Sequence, residues 1–151
     1  MQSRCRNLQR QHLLQKLQTI EMNAQLIRFR KPALYLLAGF YVVAGLNHFV
    51  NPDFYLPLIP PWLPAHTAIN FLSGIAEVLL GIALLPLVTR RLAGYGILLL
   101  LLFFIPAHIH FIRLGGCVSD GLCVPAWIAW VRLLVVHPLL LLWAWWCTLK
   151  Q

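Results

Sequence analysis

Charged residues are scarce in this sequence: only 11% of its 151 residues are Asp, Glu, Lys or Arg, and four residues are acidic. Soluble domains typically carry about 25% charged and about 45–50% apolar residues. Here the hydrophobic share is 60% and the mean hydropathy is +0.75. This composition excludes an ordinary soluble domain and predicts an integral membrane protein.

The sequence also lacks a C-x-x-C pair, since its four cysteines stand at positions 5, 117, 123 and 147. Membrane enzymes that generate disulfides on their own use such a pair beside a quinone, so this class is excluded. No nucleic-acid recognition motif accompanies the basic charge, which excludes a nucleic-acid partner. No metal is expected either, because carboxylates and cysteines at a suitable depth are too few.

Four long apolar stretches are present, at residues 32–50, 65–88, 92–112 and 125–147. Each approaches the roughly 20 residues that cross a bilayer as a helix. The sequence therefore predicts an all-α, polytopic four-transmembrane-helix bundle over residues 32–151, preceded by a basic tail over residues 1–31. The tail is either an amphipathic helix or an unstructured extension, and Met22 offers an alternative start.

The basic residues are concentrated in the tail, and Arg90, Arg91 and Lys150 stand at the same predicted side of the membrane. Because Lys and Arg favour cytoplasmic segments, the pattern predicts that both termini are cytoplasmic. The loop over residues 51–64 has Asp53 and no Lys or Arg, so it is expected outside; Arg113 is a mild exception. A bacterial inner membrane is the expected location.

Two outer connections differ in character. Residues 51–64 are rich in proline but also aromatic, and Tyr55 and Trp62 are expected to anchor this segment at the membrane interface. The second connection is bracketed by Cys117 and Cys123, which the spacing and the oxidising side predict to form a disulfide. Both a structural bridge and a redox-active pair remain open.

Glu77 and Arg132 are the only charged residues inside the four apolar stretches. Charged groups at bilayer depth usually face the bundle interior, find a partner or mark a functional path. Glu77 belongs to a small and polar stripe, which consists of Asn70, Ser73, Gly74, Glu77 and Gly81. His48, His108 and His110 stand near the same predicted end of the bundle. We therefore predict that Glu77 pairs with Arg132.

These five residues, His48, Glu77, His108, His110 and Arg132, form the candidate polar site. Two interpretations are open. The site is either a structural network that fixes helix order or an outward-opening pocket that positions a polar head group such as a quinone carbonyl. No catalytic residue is assigned.

Several short segments together carry a family resemblance. They are the run of residues 44–49 with Asn51-Pro52, the run of residues 60–64, Ser73-Gly74 with Glu77 and Gly81, Thr89 with Arg90-Arg91, residues 106–108, and Trp130 with Arg132-Leu133. In order and spacing they resemble the DoxX-like membrane proteins over about residues 32–147. The resemblance implies a four-helix transmembrane bundle. It does not imply one activity, because members are linked to quinone-coupled sulfur oxidation, oxidative-stress complexes, maturation of partner enzymes and receptor assembly.

The resulting expectation is a membrane component of a redox- or stress-related system, with quinone as the cofactor to test. The alternative is a non-enzymatic assembly factor or chaperone that binds a partner protein. The lipid bilayer is the expected surrounding, and a protein partner or a homo-oligomer is a further expectation.

Overall fold

The computed structural model describes Lys16, residues 28–118 and residues 122–149. Two compact units divide the chain, Met1–Ala33 and Leu34–Gln151. In the first unit, Lys16 and residues 28–33 are helical. The rest of the tail, with Cys5, Met22 and the predicted amphipathic face, lies outside the described residues.

Four helical segments are long and apolar enough to cross a membrane. The first is α1 (Arg28–Val50), the second is α3 (His66–Ala83), and the third is α4 (Arg90–Arg113). The fourth segment, Ala126–Thr148, consists of α5 (Ala126–Val131), a π-helical turn (Arg132–Val136) and α6 (His137–Thr148). The prediction of an all-α, four-helix membrane protein is confirmed.

From Leu34 onward, α1 packs closely against α3 through glycine. A Cβ atom added at Gly45 would lie 2.7 Å from the carbonyl oxygen of Gly74, and one added at Gly81 would lie 2.9 Å from that of Ala38. Small residues allow helix backbones to approach in this way in membranes. Gly45 of α1 meets Gly74 of α3, and the earlier Ala38 meets the later Gly81. The two helices are therefore antiparallel neighbours.

The polar stripe of α3 forms the buried face of that helix. Its buried residues are Asn70, Gly74, Glu77 and Gly81, which recur at three- and four-residue steps. Such spacing places side chains on one helical face. The stripe therefore faces the bundle interior, and Glu77 is brought there by the same periodicity that places the glycines against α1.

A short cap, residues 51–64, connects α1 to α3. It consists of α2 (Pro52–Tyr55), a 3-10 turn (Leu56–Leu58) and an irregular segment that is rich in proline. Leu58 of the cap packs in a buried cluster with Phe111, Val118 and Ala129, which we call the Val118 cluster. The cap is thus held against the adjoining ends of α4 and α5.

A disulfide joins Cys117 to Cys123. The backbones of the same two residues also pair as an isolated antiparallel β-bridge. Gly115 and Gly116 precede the bridge with φ of 69° and 86°, a conformation that glycine adopts without a side-chain penalty. The turn is followed by Val118, which is 4% exposed. The disulfide therefore lies beside a residue of the Val118 cluster.

The π-helical turn Arg132–Val136 ends two residues before Pro138. The backbone N–H of His137 donates to the carbonyl oxygen of Arg132, five residues earlier. Proline has no N–H and its ring crowds the preceding turn, and a local widening of the helix relieves both problems. This turn changes which side chains of the fourth segment share a face.

Candidate functional site

A cavity of about 700 Å³ lies within the second unit and is lined by all four long helical segments and by the cap. Sites for small molecules typically have about 300–1,000 Å³ and mostly apolar walls. Here the walls are mostly Leu, Ile, Phe and Pro. The polar groups that line the cavity fall into two sets, one around Glu77 and one around Arg132.

The Glu77 end is a hydrogen-bonded network between α1 and α3. His48 Nε2 lies 3.4 Å from Glu77 Oε2, and His48 Nδ1 lies 2.7 Å from Asn70 Oδ1. The amide of Asn70 donates through Nδ2 to the carbonyl oxygen of His48 at 3.0 Å. His48 and Glu77 are 7% and 5% exposed, so the network lies inside the bundle.

The hydrogen bonds of Asn70 determine the tautomer of His48. Because Asn70 Nδ2 is the donor to the His48 carbonyl, Asn70 Oδ1 must accept, and His48 Nδ1 must carry the hydrogen. His48 Nε2 therefore faces Glu77 either with its lone pair or with a second proton. An attractive contact then requires one proton between the two side chains, as imidazolium and carboxylate or as imidazole and carboxylic acid.

The cap covers this network through Tyr55. Its ring stacks on the imidazole of His48, with centroids 3.7 Å apart and planes 19° from parallel. The Tyr55 hydroxyl accepts a hydrogen bond from Asn47 Nδ2 at 2.8 Å, and Asn51 Nδ2 donates to Asn47 Oδ1 at 2.6 Å. The cap thus places Tyr55 over the face of the His48 ring, and the hydrogen bond from Asn47 holds it there.

The Arg132 end brings together two histidines and a guanidinium. The rings of His108 and His137 meet edge to face with centroids 5.0 Å apart. Arg132 Cζ lies 5.2 Å from the centroid of Phe111 in a cation–π contact. The π-helical turn aligns Arg132 and His137, so both line the cavity although five residues separate them.

Three buried polar atoms make no hydrogen bond within the described part of the chain: Tyr41 Oη, His137 Nε2 and Glu77 Oε2. The 3.4 Å contact of Glu77 Oε2 with His48 Nε2 is an ion-pair distance without hydrogen-bond geometry. Leaving such an atom unsatisfied typically costs about 1–3 kcal/mol. All three side chains line the same cavity. The three atoms themselves have almost no accessible surface, so a molecule inside the cavity reaches them after a small rotation of the side chain.

The predicted pairing of Glu77 with Arg132 is wrong. Neither a hydrogen bond nor an ion pair joins them, and Glu77 contacts His48 instead. The glycine contact explains this result, since the backbone of Gly74 lies against His48 and brings α1 close to the stripe. Arg132 is held over Phe111, at the other set of polar groups.

Of the five predicted site residues, four line the cavity: His48, Glu77, His108 and Arg132. His110 does not. Two residues along a helix are rotated by about 200°, so α4 directs His108 and His110 to different sides. Across the described residues no cluster of three metal-ligating side chains forms.

Tyr41 and His137 are cavity residues that the sequence analysis did not assign to the site. Tyr41 shares a helical face with Gly45 and His48, which is a signal that periodicity provides. For His137 the signal is Pro138, since a proline inside a helix predicts a distortion of the preceding turn. Cys117 and Cys123 are exposed and do not line the cavity.

Comparisons with known proteins give one match. The model of a family described as "Domain of unknown function (DUF8561)" matches residues 37–148. No curated protein and no solved structure matches the chain. The matched range includes every residue of the Glu77 and Arg132 ends.

Proposed function

The chain belongs to the DUF8561 family, and we propose that it is the membrane component of a redox- or stress-related system that binds a quinone. The observation that carries this proposal is the set of three buried, unpartnered polar atoms that line one cavity. The resemblance to DoxX-like proteins supports it, since some of those proteins are linked to quinone-coupled oxidation.

The chemistry of the cavity fits a quinone. A quinone ring is flat and apolar and carries oxygens at two opposite edges, while the walls here are apolar with polar groups at two ends. At one end the Tyr41 hydroxyl can donate to a ring oxygen, and His48 with Glu77 holds a proton. At the other end Arg132 and His108 face the cavity.

When bound, a quinone supplies two-electron chemistry, in which two protons accompany the electrons to give a quinol. The protein's part is to hold the ring and to pass the two protons one at a time at His48 Nε2 and Glu77 Oε2, which share one proton between them. We propose that a partner protein of the same system exchanges the electrons. Burial excludes bulk water from the network.

Purification in a mild detergent tests the proposal. Organic extraction of the pure protein should release a quinone in a fixed ratio, and a short-chain quinone added to stripped protein should raise its melting temperature. Tyr41→Phe and Glu77→Gln should weaken binding. Ser73→Ala is the matched control, because Ser73 lines the same cavity without a buried unpartnered atom.

Two results would overturn quinone binding: the absence of a quinone from the extract together with no thermal shift, or equal binding by wild type and Tyr41→Phe. A stoichiometric protein partner in a preparation without quinone would instead favour the assembly factor. These outcomes are distinguishable in one purification, because lipid extraction and protein gels use the same sample.

We also propose a bacterial inner membrane with both termini cytoplasmic, as the distribution of Lys and Arg supports. The disulfide loop then faces the oxidising side. An impermeant maleimide added to intact, reduced cells should label Cys117 or Cys123 and spare Cys5. Labelling of Cys5 alone would contradict this orientation.

A further inference from the structure

Arg132 lines the cavity, and no ion pair joins it to another residue that the structure describes. We propose that the Arg132 end of the cavity binds the anionic head group of an amphiphile, a carboxylate or a phosphate, with its hydrocarbon tail along the apolar walls. This inference goes beyond quinone binding. It concerns a charged ligand group at Arg132, and its test depends on Arg132 and His137, whereas the test of quinone binding depends on Tyr41 and Glu77.

Arg132 carries a positive charge that its surroundings must balance. A guanidinium is always protonated, and a charge at bilayer depth normally finds an opposite charge. Glu77 is the only acidic residue within the four candidate spans, and its carboxylate lies against His48. The contact of Arg132 with Phe111 is an attraction to a neutral ring. No side chain of the described spans therefore neutralises Arg132.

The side chains that line the cavity near Arg132 are not acids; they are Tyr55 of the cap, His108 and Phe111 of α4, and His137 of α6. His137 is 3% exposed, and its Nε2 has no partner. His137 also hydrogen-bonds the backbone of Leu101, and this bond is made by Nδ1 because Nε2 is the unpartnered atom. Nε2 therefore donates when the ring is doubly protonated, the form that a bound anion favours. The forked guanidinium matches carboxylate and phosphate oxygens in a bidentate manner.

The rest of the cavity wall is apolar and suits a hydrocarbon tail. Leu101, Phe104 and Leu140 line it between the helices, so a hydrocarbon chain can replace water there. Two further lining residues are also exposed on the outside of the bundle, Leu72 of α3 at 61% and Phe103 of α4 at 70%. The cavity is thus continuous with the apolar outer surface between α3 and α4. An amphiphile can enter from the lipid with its tail trailing.

Ligands matched in chain length test the head-group requirement. Palmitate, hexadecyl phosphate, hexadecanol and hexadecyltrimethylammonium are titrated onto pure protein in a neutral detergent, and binding is followed by native mass spectrometry and melting temperature. We expect the two anions to bind and the alcohol and the cation to bind at least roughly tenfold more weakly. Phosphatidate nanodiscs, compared with phosphatidylcholine nanodiscs, identify a membrane lipid as the source of the anion.

Variants assign the binding to Arg132. Arg132→Gln should weaken anion binding at least roughly tenfold, Arg132→Lys should retain part of it, and His137→Gln should weaken it less. Arg113→Gln is the matched control, because Arg113 is exposed at the end of α4 and does not line the cavity. If Arg132→Gln does not fold, the inference is tested by the binding of the four matched amphiphiles to wild type and to Arg132→Lys.

Palmitate binding assigns a free fatty acid, and binding in phosphatidate nanodiscs alone assigns a lipid head group; both support the inference. Equal binding of hexadecanol and palmitate, no anion binding in any arm, or unchanged binding in folded Arg132→Gln overturns it. Quinone binding is measured on the same samples and depends on Tyr41 and Glu77. The two proposals can therefore fail separately.

Discussion

The two ends of the cavity treat a charged residue in opposite ways. Glu77 lies against His48, which Asn70 in turn orients and Tyr55 covers. Arg132 lies over Phe111 and near Tyr55, and no acidic side chain of the described spans pairs with it. The protein therefore supplies a partner for the charged group at one end, although Tyr41 Oη and Glu77 Oε2 make no hydrogen bond there, whereas the charge at the other end has no partner within the described spans.

Polar groups that stabilise a membrane bundle and polar groups that bind a ligand differ in whether the protein supplies their partner. At the Glu77 end, close helix packing brings a partner to the carboxylate, so this network stabilises the contact of α1 with α3. At the Arg132 end, the π-helical turn places Arg132 and His137 together on the wall of the cavity, with no acidic side chain of the described spans beside them. We expect stability to depend more on the first end and the binding of a charged ligand to depend on the second.

The largest loss of stability is expected from a substitution that removes the partner of Glu77. His48→Leu removes the partner of a buried carboxylate and should lower the free energy of unfolding by about 3–5 kcal/mol, the typical loss for a broken buried pair. His48→Leu with Glu77→Leu should recover part of this loss. Denaturant titrations in detergent would give the coupling energy.

The same cycle for Glu77 and Arg132 is the control. Because these side chains make no contact, their effects on the free energy of unfolding should add to within about 0.5 kcal/mol. Strong coupling between Glu77 and Arg132, or none between His48 and Glu77, would show that the two ends have been assigned wrongly.

The next effect acts on the helix contact beneath the Glu77 end. Gly74→Val should lower the free energy of unfolding by about 1–3 kcal/mol, as overpacking typically does. A Cβ atom there would lie 2.8 Å from His48 Cβ and 2.9 Å from the carbonyl oxygen of Gly45. Thermal and denaturant unfolding would measure the loss.

Gly39→Ala is the matched control in α1. A Cβ atom at Gly39 meets nothing within 4 Å, and alanine favours a helix by up to about 1 kcal/mol over glycine. This variant should be neutral or slightly stabilising. A loss as large as that of Gly74→Val would mean that glycine packing does not position His48.

A smaller loss of stability is expected when the disulfide, which lies outside both ends of the cavity, is removed. Replacing Cys117 and Cys123 by Ser should lower the free energy of unfolding by about 2 kcal/mol, the value for so short a loop when the bridge acts on the unfolded chain. Ligand binding should persist, since neither cysteine lines the cavity. Loss of activity in a stably folded variant would instead favour thiol chemistry.

The smallest effect refines the role of the cap. Tyr55→Phe removes the hydroxyl that accepts from Asn47 Nδ2 but keeps the ring on His48, and it should cost about 1 kcal/mol. Tyr55→Ala removes the stacked ring as well and should cost more. Equal losses in melting temperature for the two variants would show that the stack on His48 contributes nothing.

Much of the fold follows from sequence patterns alone. Length and hydropathy predicted the four spans, and three- and four-residue spacing placed Asn70 and Glu77 on the buried face of α3. Both properties depend on helix geometry and on the bilayer, which act locally. Four of the five predicted site residues line the cavity for the same reason.

The partner of Glu77 could not be predicted in this way. Charge and depth favoured Arg132, but the choice depended on how closely α1 approaches α3, which Gly45 and Gly74 determine only after the helices pack. His137 was missed because an ideal helix turns it away from the face of Arg132. The π-helical turn before Pro138 reverses that relation, and only the structure revealed it.

Native mass spectrometry of the purified protein shows whether the cavity with its two polar ends holds a small molecule. Ala107→Trp fills the cavity, whereas Ala68→Trp places the same ring on an exposed face of α3. The account predicts a bound adduct in wild type and Ala68→Trp and its loss from folded Ala107→Trp. Wild type that neither carries nor takes up a quinone or an anionic amphiphile, or equal binding by the two tryptophan variants, would contradict it.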